Sequence, residues 1–139
     1  MEPTLLIWPL LIHGFVTLLL FLPMSRVRRR LIAQGKVKAS AFRLVDGEPE
    51  ESRKFSNAIR NQNETGLLYY AGILVAFVTG NATGLIVGLA WLFLALKLAH
   101  VAVHATVNKL RYRFPLFTAA LVTLAALWLA LAARLAHLI

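Results

Sequence analysis

Long apolar runs, broken by two polar stripes, organise this chain. Residues 3–24 carry no charge and are long enough to cross a bilayer, which takes about 20 helical residues. Residues 114–133 form a second uncharged run. Between them the uncharged stretches are shorter, 16 residues from Thr65 to Gly80 and 15 from Ala82 to Leu96. Neither alone crosses ~30 Å at ~1.5 Å per residue. Each span must therefore continue into its polar neighbour. Those neighbours recur every three or four residues, as Asn57, Arg60, Asn61 and Glu64 and as Lys97, His100, His104 and Asn108. That spacing puts each set on one helix face. The pattern predicts helices over about 3–25, 52–79, 83–108 and 115–137, with a polar loop over about 26–51. The expected fold is all-α, one integral membrane domain built as an antiparallel up-and-down four-helix bundle.

Local signals agree with these boundaries. Glu50, Glu51 and Ser52 read as a helix start, with acid at the positive end of the dipole. Gly80-Asn81-Ala82-Thr83-Gly84 reads as an uncharged tight turn, and Pro115 suits the first turn of the last helix. Gly84 and Gly88 make a small-xxx-small pattern, while Gly66, Gly72 and the alanines of the last helix favour close packing. Trp8, Trp91 and Trp128 read as belt or packing residues. His13 and Thr17, four apart, share a bundle-facing side, and the simplest reading of His13 is a packed, satisfied histidine. Tyr69 and Tyr70 lie deeper in their helix, where one hydroxyl can reach a cavity.

Charge decides orientation. The net charge of +9 raises the possibility of a nucleic-acid partner, but the basic residues flank apolar runs, which excludes that reading. Residues 26–54 hold nine of the fifteen basic residues and four of the six acidic ones, Asp46, Glu48, Glu50 and Glu51. Lys109, Arg111 and Arg113 make a second basic connection, and the turn at 80–84 has no basic residue. The positive-inside rule then puts both basic loops in the cytoplasm and both termini outside a multi-pass protein. No basic residue precedes the first apolar run, so it reads as a retained helix rather than a cleaved signal. The chain has no cysteine, which excludes disulfides, thiolate metal sites and a cysteine nucleophile.

The polar stripes carry the chemistry. Ionisable groups at membrane depth are expensive and normally face a bundle interior or a wet cavity. Counting back equally from the turn sets Glu64 opposite residues 97–100, and Arg60 and Asn61 opposite 100–104. Pairing Glu64 with Lys97 or His100 lowers the cost of burial. The surplus positive charge points to an anionic ligand.

Phe55-Ser56-Asn57-Ala58-Ile59-Arg60-Asn61-Gln62-Asn63-Glu64-Thr65 resembles the second-helix signature of the MAPEG superfamily, membrane-associated proteins of eicosanoid and glutathione metabolism. Lys97-Leu98-Ala99-His100, then His104, Asn108 and Lys109-Leu110-Arg111-Tyr112-Arg113-Phe114, are similar to its third helix and the entry to its fourth. The likeness covers nearly the whole chain and looks nearest the bacterial branch, which implies the bacterial inner membrane. It implies a homotrimer in membrane lipid, with glutathione as co-substrate at subunit interfaces on the cytoplasmic side. Arg60, Asn61 and Glu64 match positions that hold the tripeptide, and His100 and His104 line the same pocket. Asn57 stands in the glutathione-binding set where an arginine is usual, so a bidentate carboxylate clamp is missing. Arg113 matches the arginine that stabilises the thiolate, with Phe114 after it where some relatives have a small hydroxyl residue.

The resemblance implies a glutathione-dependent transferase or peroxidase acting on a lipophilic small molecule, an electrophile entering from the bilayer. The alternative is a non-catalytic trimer binding an anionic lipid or thiol ligand in the same cavity. A metal site of His100, His104 and Glu64 is disfavoured by Lys97 beside it, and no metal is expected. A proton-coupled exporter using Glu64 fits poorly with the arginine-rich surroundings.

Overall fold

A computed structural model describes residues 2–43 and 47–138. Asp46 lies outside the described residues. The described residues form helices α1 (Thr4–Leu19), α2 (Phe21–Ala33), α3 (Glu50–Val78), α4 (Gly84–Ala105) and α5 (Leu110–Leu135), with one 3-10 turn at Ala39–Phe42. The first two form one rod, Thr4–Ala33, interrupted only at Leu20. Pro23 explains the hitch, because its missing N–H leaves the carbonyl of Leu19 without an i+4 partner. The architecture is therefore the up-and-down four-helix membrane bundle that the apolar pattern predicts. Three of its rods, Thr4–Ala33, Gly84–Ala105 and Leu110–Leu135, are long and apolar enough to cross a membrane. The polar lower half of α3 keeps it out of that set, although its 29 residues reach about 44 Å.

Three boundaries differ from the sequence reading, and one of them is that α4 ends at Ala105 rather than 108, which leaves Asn108 in the connection to α5. The first helix runs to Ala33 rather than 25, so the arginines at 26, 28, 29 and 30 sit on helix, not loop. Arginine is a good helix former, and nothing stops the helix before Gly35. That glycine has φ +66°, and the bonds Lys36 N–H to Leu31 and Gly35 N–H to Ile32 close the helix end around it. The last helix starts at Leu110, five residues before Pro115. Pro115 sits near enough to the N-terminus to forfeit only one bond, to the carbonyl of Arg111. α3 starts on Glu50 and Glu51, both in its first turn.

The connection before α3 is pinned. The Glu48 carboxylate, 4% exposed, accepts from Arg28 Nη2 at 2.7 Å, Ser52 Oγ at 2.8 Å and Ser56 Oγ at 2.9 Å. Burial alone would raise the pKa of Glu48, but these hydrogen bonds and the Arg28 charge outweigh it and hold the carboxyl below its usual range. Arg53 also donates to the Glu48 carbonyl.

The core is layered. One apolar cluster (including Leu6, Tyr69, Ile73, Phe93, Leu124 and Leu127) fills the half of the bundle near the 79–83 turn. A smaller one (Leu20, Met24, Phe55, Ala58, Ile59 and Val101) fills the basic end. Buried polar side chains lie among and between them: His13, Thr17, Gln62, Thr65, Lys97, His100, His104 and Thr123. Gly72 lets α3 approach α5, since a Cβ there would meet Leu127 Cδ2 at 2.8 Å. Gly84 and Gly88 are exposed, and a Cβ on Gly88 would meet nothing within 4 Å, so this small-residue face packs against nothing inside the protomer. The indoles of Trp91 and Trp128 donate to the carbonyls of Leu5 and Leu68, in keeping with a packing role.

Candidate functional site

The two polar stripes face different ways. On α4, Lys97, His100 and His104 are buried, with Asn108 half-buried in the connection that follows. On α3, Arg60 and Glu64 are exposed on the bundle surface, and Asn57 and Asn61 are half-buried beside them. Contrary to the expected pairing, Glu64 makes no close ion pair with Lys97 or His100, although its charge still acts on the Lys97 ammonium. Among the described residues the ion pairs are Arg28–Glu48 and Arg30–Glu51. The register differs by about one turn from equal counting: Lys97 Nζ donates to the Asn61 carbonyl at 2.9 Å, and Tyr69 Oη donates to the Ala90 carbonyl at 3.0 Å. Equal counting assumes parallel rods and takes no account of helix crossing, which shifts levels and turns faces.

Asn61 is the hinge between the stripes. Its side-chain amide donates to the Asn57 carbonyl at 2.9 Å, and its own carbonyl accepts from Lys97. The Lys97 ammonium also lies 5.7 Å from the Phe117 ring. A buried cation held by one carbonyl and one ring face is costly at this depth, which makes the layer a candidate site.

A cleft of about 100 Å³ brings together Asn61, His100, Leu110, Arg113, Phe114 and Phe117. So α3, α4 and α5 each supply one member of the predicted site. Arg113 is carried by the first turns of α5. Its Nη1 donates to Asn108 Oδ1 at 2.9 Å, while its buried Nε has no partner. Asn108 lies in the 106–109 connection, with φ 49°, a conformation that asparagine tolerates better than most side chains. Its side chain thus steers Arg113 across the turn between two helices. His100 and His104 meet edge to face with ring centroids 5.6 Å apart; His100 Nδ1 and both ring nitrogens of His104 are buried without partners. The unpartnered Nε of the Arg113 guanidinium suits an anion. A wider cleft of about 510 Å³ opens at the end of the bundle where α3 begins, lined by Arg30 and Lys54, by Glu50 and Glu51, and by Phe55, Thr106 and Asn108 among others. Glu64 is exposed on α3, and among the described residues no group of three His, Asp or Glu is placed to hold a metal ion.

The MAPEG family model matches residues 5–133. The chain belongs to the MAPEG family. No curated protein and no solved structure gives a match. MAPEG membership and the three long apolar rods make this an integral membrane protein of the family associated with glutathione and eicosanoid metabolism. Within that MAPEG frame, the structure gathers Asn61, His100 and Arg113 into one cleft and sets His104 and Asn108 behind it. It leaves Asn57, Arg60 and Glu64 on the outward face of α3.

One residue of the polar layer escaped the sequence reading. Gln62 is fully buried, and neither amide atom has a partner. It sits beside Asn61 but points around the helix toward His13. The available signal was its place one residue off the outward stripe, which turns it about 100° toward the core. His13 is not the satisfied histidine expected: Nδ1 meets Tyr70 Oη at 2.7 Å, but Nε2 is buried and unpartnered.

Proposed function

We propose that this MAPEG protein is a membrane-embedded glutathione-dependent transferase or peroxidase acting on a lipophilic electrophile. The observation that carries the reading is Arg113, held by Asn108 at the edge of the cleft with a buried, unpartnered Nε. A thiol with pKa ~8.5 is mostly protonated at neutral pH, and a guanidinium nearby favours the nucleophilic thiolate. In this reading the glutathione thiol gives its proton to water, and the sulfur attacks either the electrophilic carbon, expelling a leaving group with the electron pair, or a peroxide oxygen, expelling an alkoxide that takes up a proton; in the peroxide case a second glutathione then reduces the sulfenic acid to the disulfide and water. Asn61 and His100 line the place where the tripeptide would lie beside Arg113.

The outward stripe supports a homotrimer. Arg60 and Glu64 are exposed at a depth where a lone protomer would present them to lipid. A second copy against α3 would cover them and would complete a tripeptide site with Asn57, Arg60, Asn61 and Glu64.

Asn57 favours the second reading, a non-catalytic trimer binding an anionic lipid or a thiol, because the usual arginine clamp is missing. Steady-state turnover with glutathione and a chromogenic electrophile, together with calorimetric glutathione binding, separates the two. The expected result is weak but thiol-dependent turnover, with tighter glutathione binding in Asn57→Arg. A wild type that neither turns over nor binds glutathione overturns the enzyme reading.

A further inference from the structure

The wider cleft, about 510 Å³, carries charges of both signs. α2 supplies Arg30, and α3 supplies Glu50, Glu51 and Lys54, so the four formal charges cancel in sum. Arg30 and Glu51 close on each other at 2.6 Å. Glu50 and Lys54 stand four residues apart on α3, in the order and spacing that favour a helical ion pair. They form none: among the described residues the ion pairs are Arg28–Glu48 and Arg30–Glu51. The Lys54 ammonium lies instead 5.1 Å from the ring centroid of Phe55, a buried side chain that lines the cleft.

These charges select a kind of ligand. An anion gains from Lys54 but meets Glu50 and Glu51, and a cation meets the reverse. A ligand with both charges, set about one helical turn apart, satisfies Glu50 and Lys54 together. Two neutral side chains repeat the division. Asn108 gives its Oδ1 to Arg113, which leaves its amide N–H groups as donors for an anionic oxygen. The Thr106 hydroxyl donates to the Ala102 carbonyl at 2.6 Å, which leaves its oxygen as an acceptor for an N–H. The positive end of the ligand must therefore keep hydrogens to donate.

The position of the cleft says where such a ligand comes from. The first uncharged run ends at Met24, and Arg30 follows within two turns. α4 ends at Ala105, just before Thr106. The cleft thus opens where the rods leave the apolar layer. Val107, between two cleft residues, is 59% exposed, and Leu110 is 69% exposed. A ligand held here by its polar end can lay hydrocarbon on that apolar surface.

We propose that this cleft is a headgroup site for an ethanolamine phospholipid, with its primary ammonium on Glu50 and Thr106 and its phosphate on Lys54 and Asn108. Such a headgroup is neutral overall, carries both charges close together and keeps its N–H donors. A choline headgroup matches the charges but has no N–H for Glu50. A glycerol headgroup brings the phosphate without the cation and sets an anion against Glu50. The test reads bound lipid and not turnover, so its failure leaves the Arg113 reading standing.

The experiment is native mass spectrometry of the full chain released from nanodiscs. These hold equal amounts of ethanolamine, N-methyl-, N,N-dimethylethanolamine, choline and glycerol phospholipids with the same acyl chains. Ethanolamine lipid is expected to be retained about three- to ten-fold over choline lipid, with retention falling at each added methyl. Glu50→Gln is expected to level that series. Lys54→Gln is expected to lower retention of ethanolamine and choline lipids alike by a similar factor. Circular dichroism of both variants, expected to match wild type, keeps misfolding from mimicking either loss, and the methylation series in wild type needs no variant at all. The proposal is overturned if wild type retains choline lipid as well as ethanolamine lipid, if glycerol lipid is retained over both, or if Glu50→Gln keeps the methylation series. Displacement of the lipid by an equal concentration of water-soluble glycerophosphoethanolamine also overturns it, since the ligand is then a free zwitterion.

Discussion

Removing Arg113 separates binding from chemistry at the MAPEG cleft. The guanidinium is tethered through Nη1 to Asn108 Oδ1, and its Nε is the buried donor without a partner. Losing one charge-assisted contact to a developing thiolate costs about 1.5–3 kcal/mol, roughly ten- to over a hundred-fold in rate. The same energy corresponds to about 1–2 pH units in the ionisation of the bound thiol, at ~1.36 kcal/mol per unit. Arg113→Ala should therefore lower kcat by that factor at neutral pH and displace the rising limb of the pH–rate profile upward by that interval. The tripeptide contacts of Arg60, Asn61 and Glu64 would act on ground state and transition state alike, so KM should change little. Asn108→Gly gives an internal control. The position has φ 49°, which glycine adopts without strain, so the variant removes the tether and spares the backbone. Its guanidinium stays near the cleft but is less fixed, and the expected loss is smaller, about two- to ten-fold. The assay is initial-rate kinetics with a chromogenic electrophile across a pH series, with calorimetric glutathione binding on each variant. If wild type is clearly active and Arg113→Ala keeps its kcat and pH profile, the thiolate role is wrong. If Arg113→Ala raises only KM, Arg113 is a binding residue and the chemistry lies elsewhere.

Three further outcomes follow from the same features. With both basic connections in the cytoplasm, a cysteine at Asn81 should react with an impermeant reagent added outside; labelling only from the cytoplasmic side would reverse the topology. Cysteines at Arg60 or Glu64 should cross-link between copies, and native mass spectrometry in mild detergent should give three chains; a single-chain mass would remove the trimer and leave two charges facing lipid. Glu48 has a folded-state pKa below its ordinary value, so its contribution is present above the unfolded carboxylate pKa and is lost as pH falls through the folded one. Acidification into that window should speed proteolysis in the 35–49 connection, Glu48→Gln should speed it already at neutral pH, and equal cleavage in variant and wild type would mean the Arg28–Glu48–Ser52–Ser56 cluster does not hold the segment.

Hydropathy period and length were enough to read four rods, their order and their basic end. A run such as 114–133 has one physical solution in lipid, a helix that satisfies its own backbone. Charge bias set the orientation expected, and the order of Asn57, Arg60, Asn61 and Glu64 with Lys97, His100, His104 and Arg113 marked the residues worth watching. Periodicity says which residues share a face but not which way that face turns. That choice belongs to helix crossing and tilt, which sent Arg60 and Glu64 outward and Lys97, His100 and His104 inward and moved Lys97 level with Asn61. Gln62 shows the limit most plainly. In sequence it is one polar residue among many in a polar stretch; its burial against His13 exists only because α1, α3 and α4 converge there. The link from His13 to Tyr70 spans 57 residues, and the one from Arg113 to Asn108 depends on how the 106–109 connection turns. Local pattern decides which helices form, because backbone satisfaction and apolar burial are properties of each segment. Only the packed bundle decides which polar atoms meet, because those distances depend on the relative placement of segments that no single helix controls.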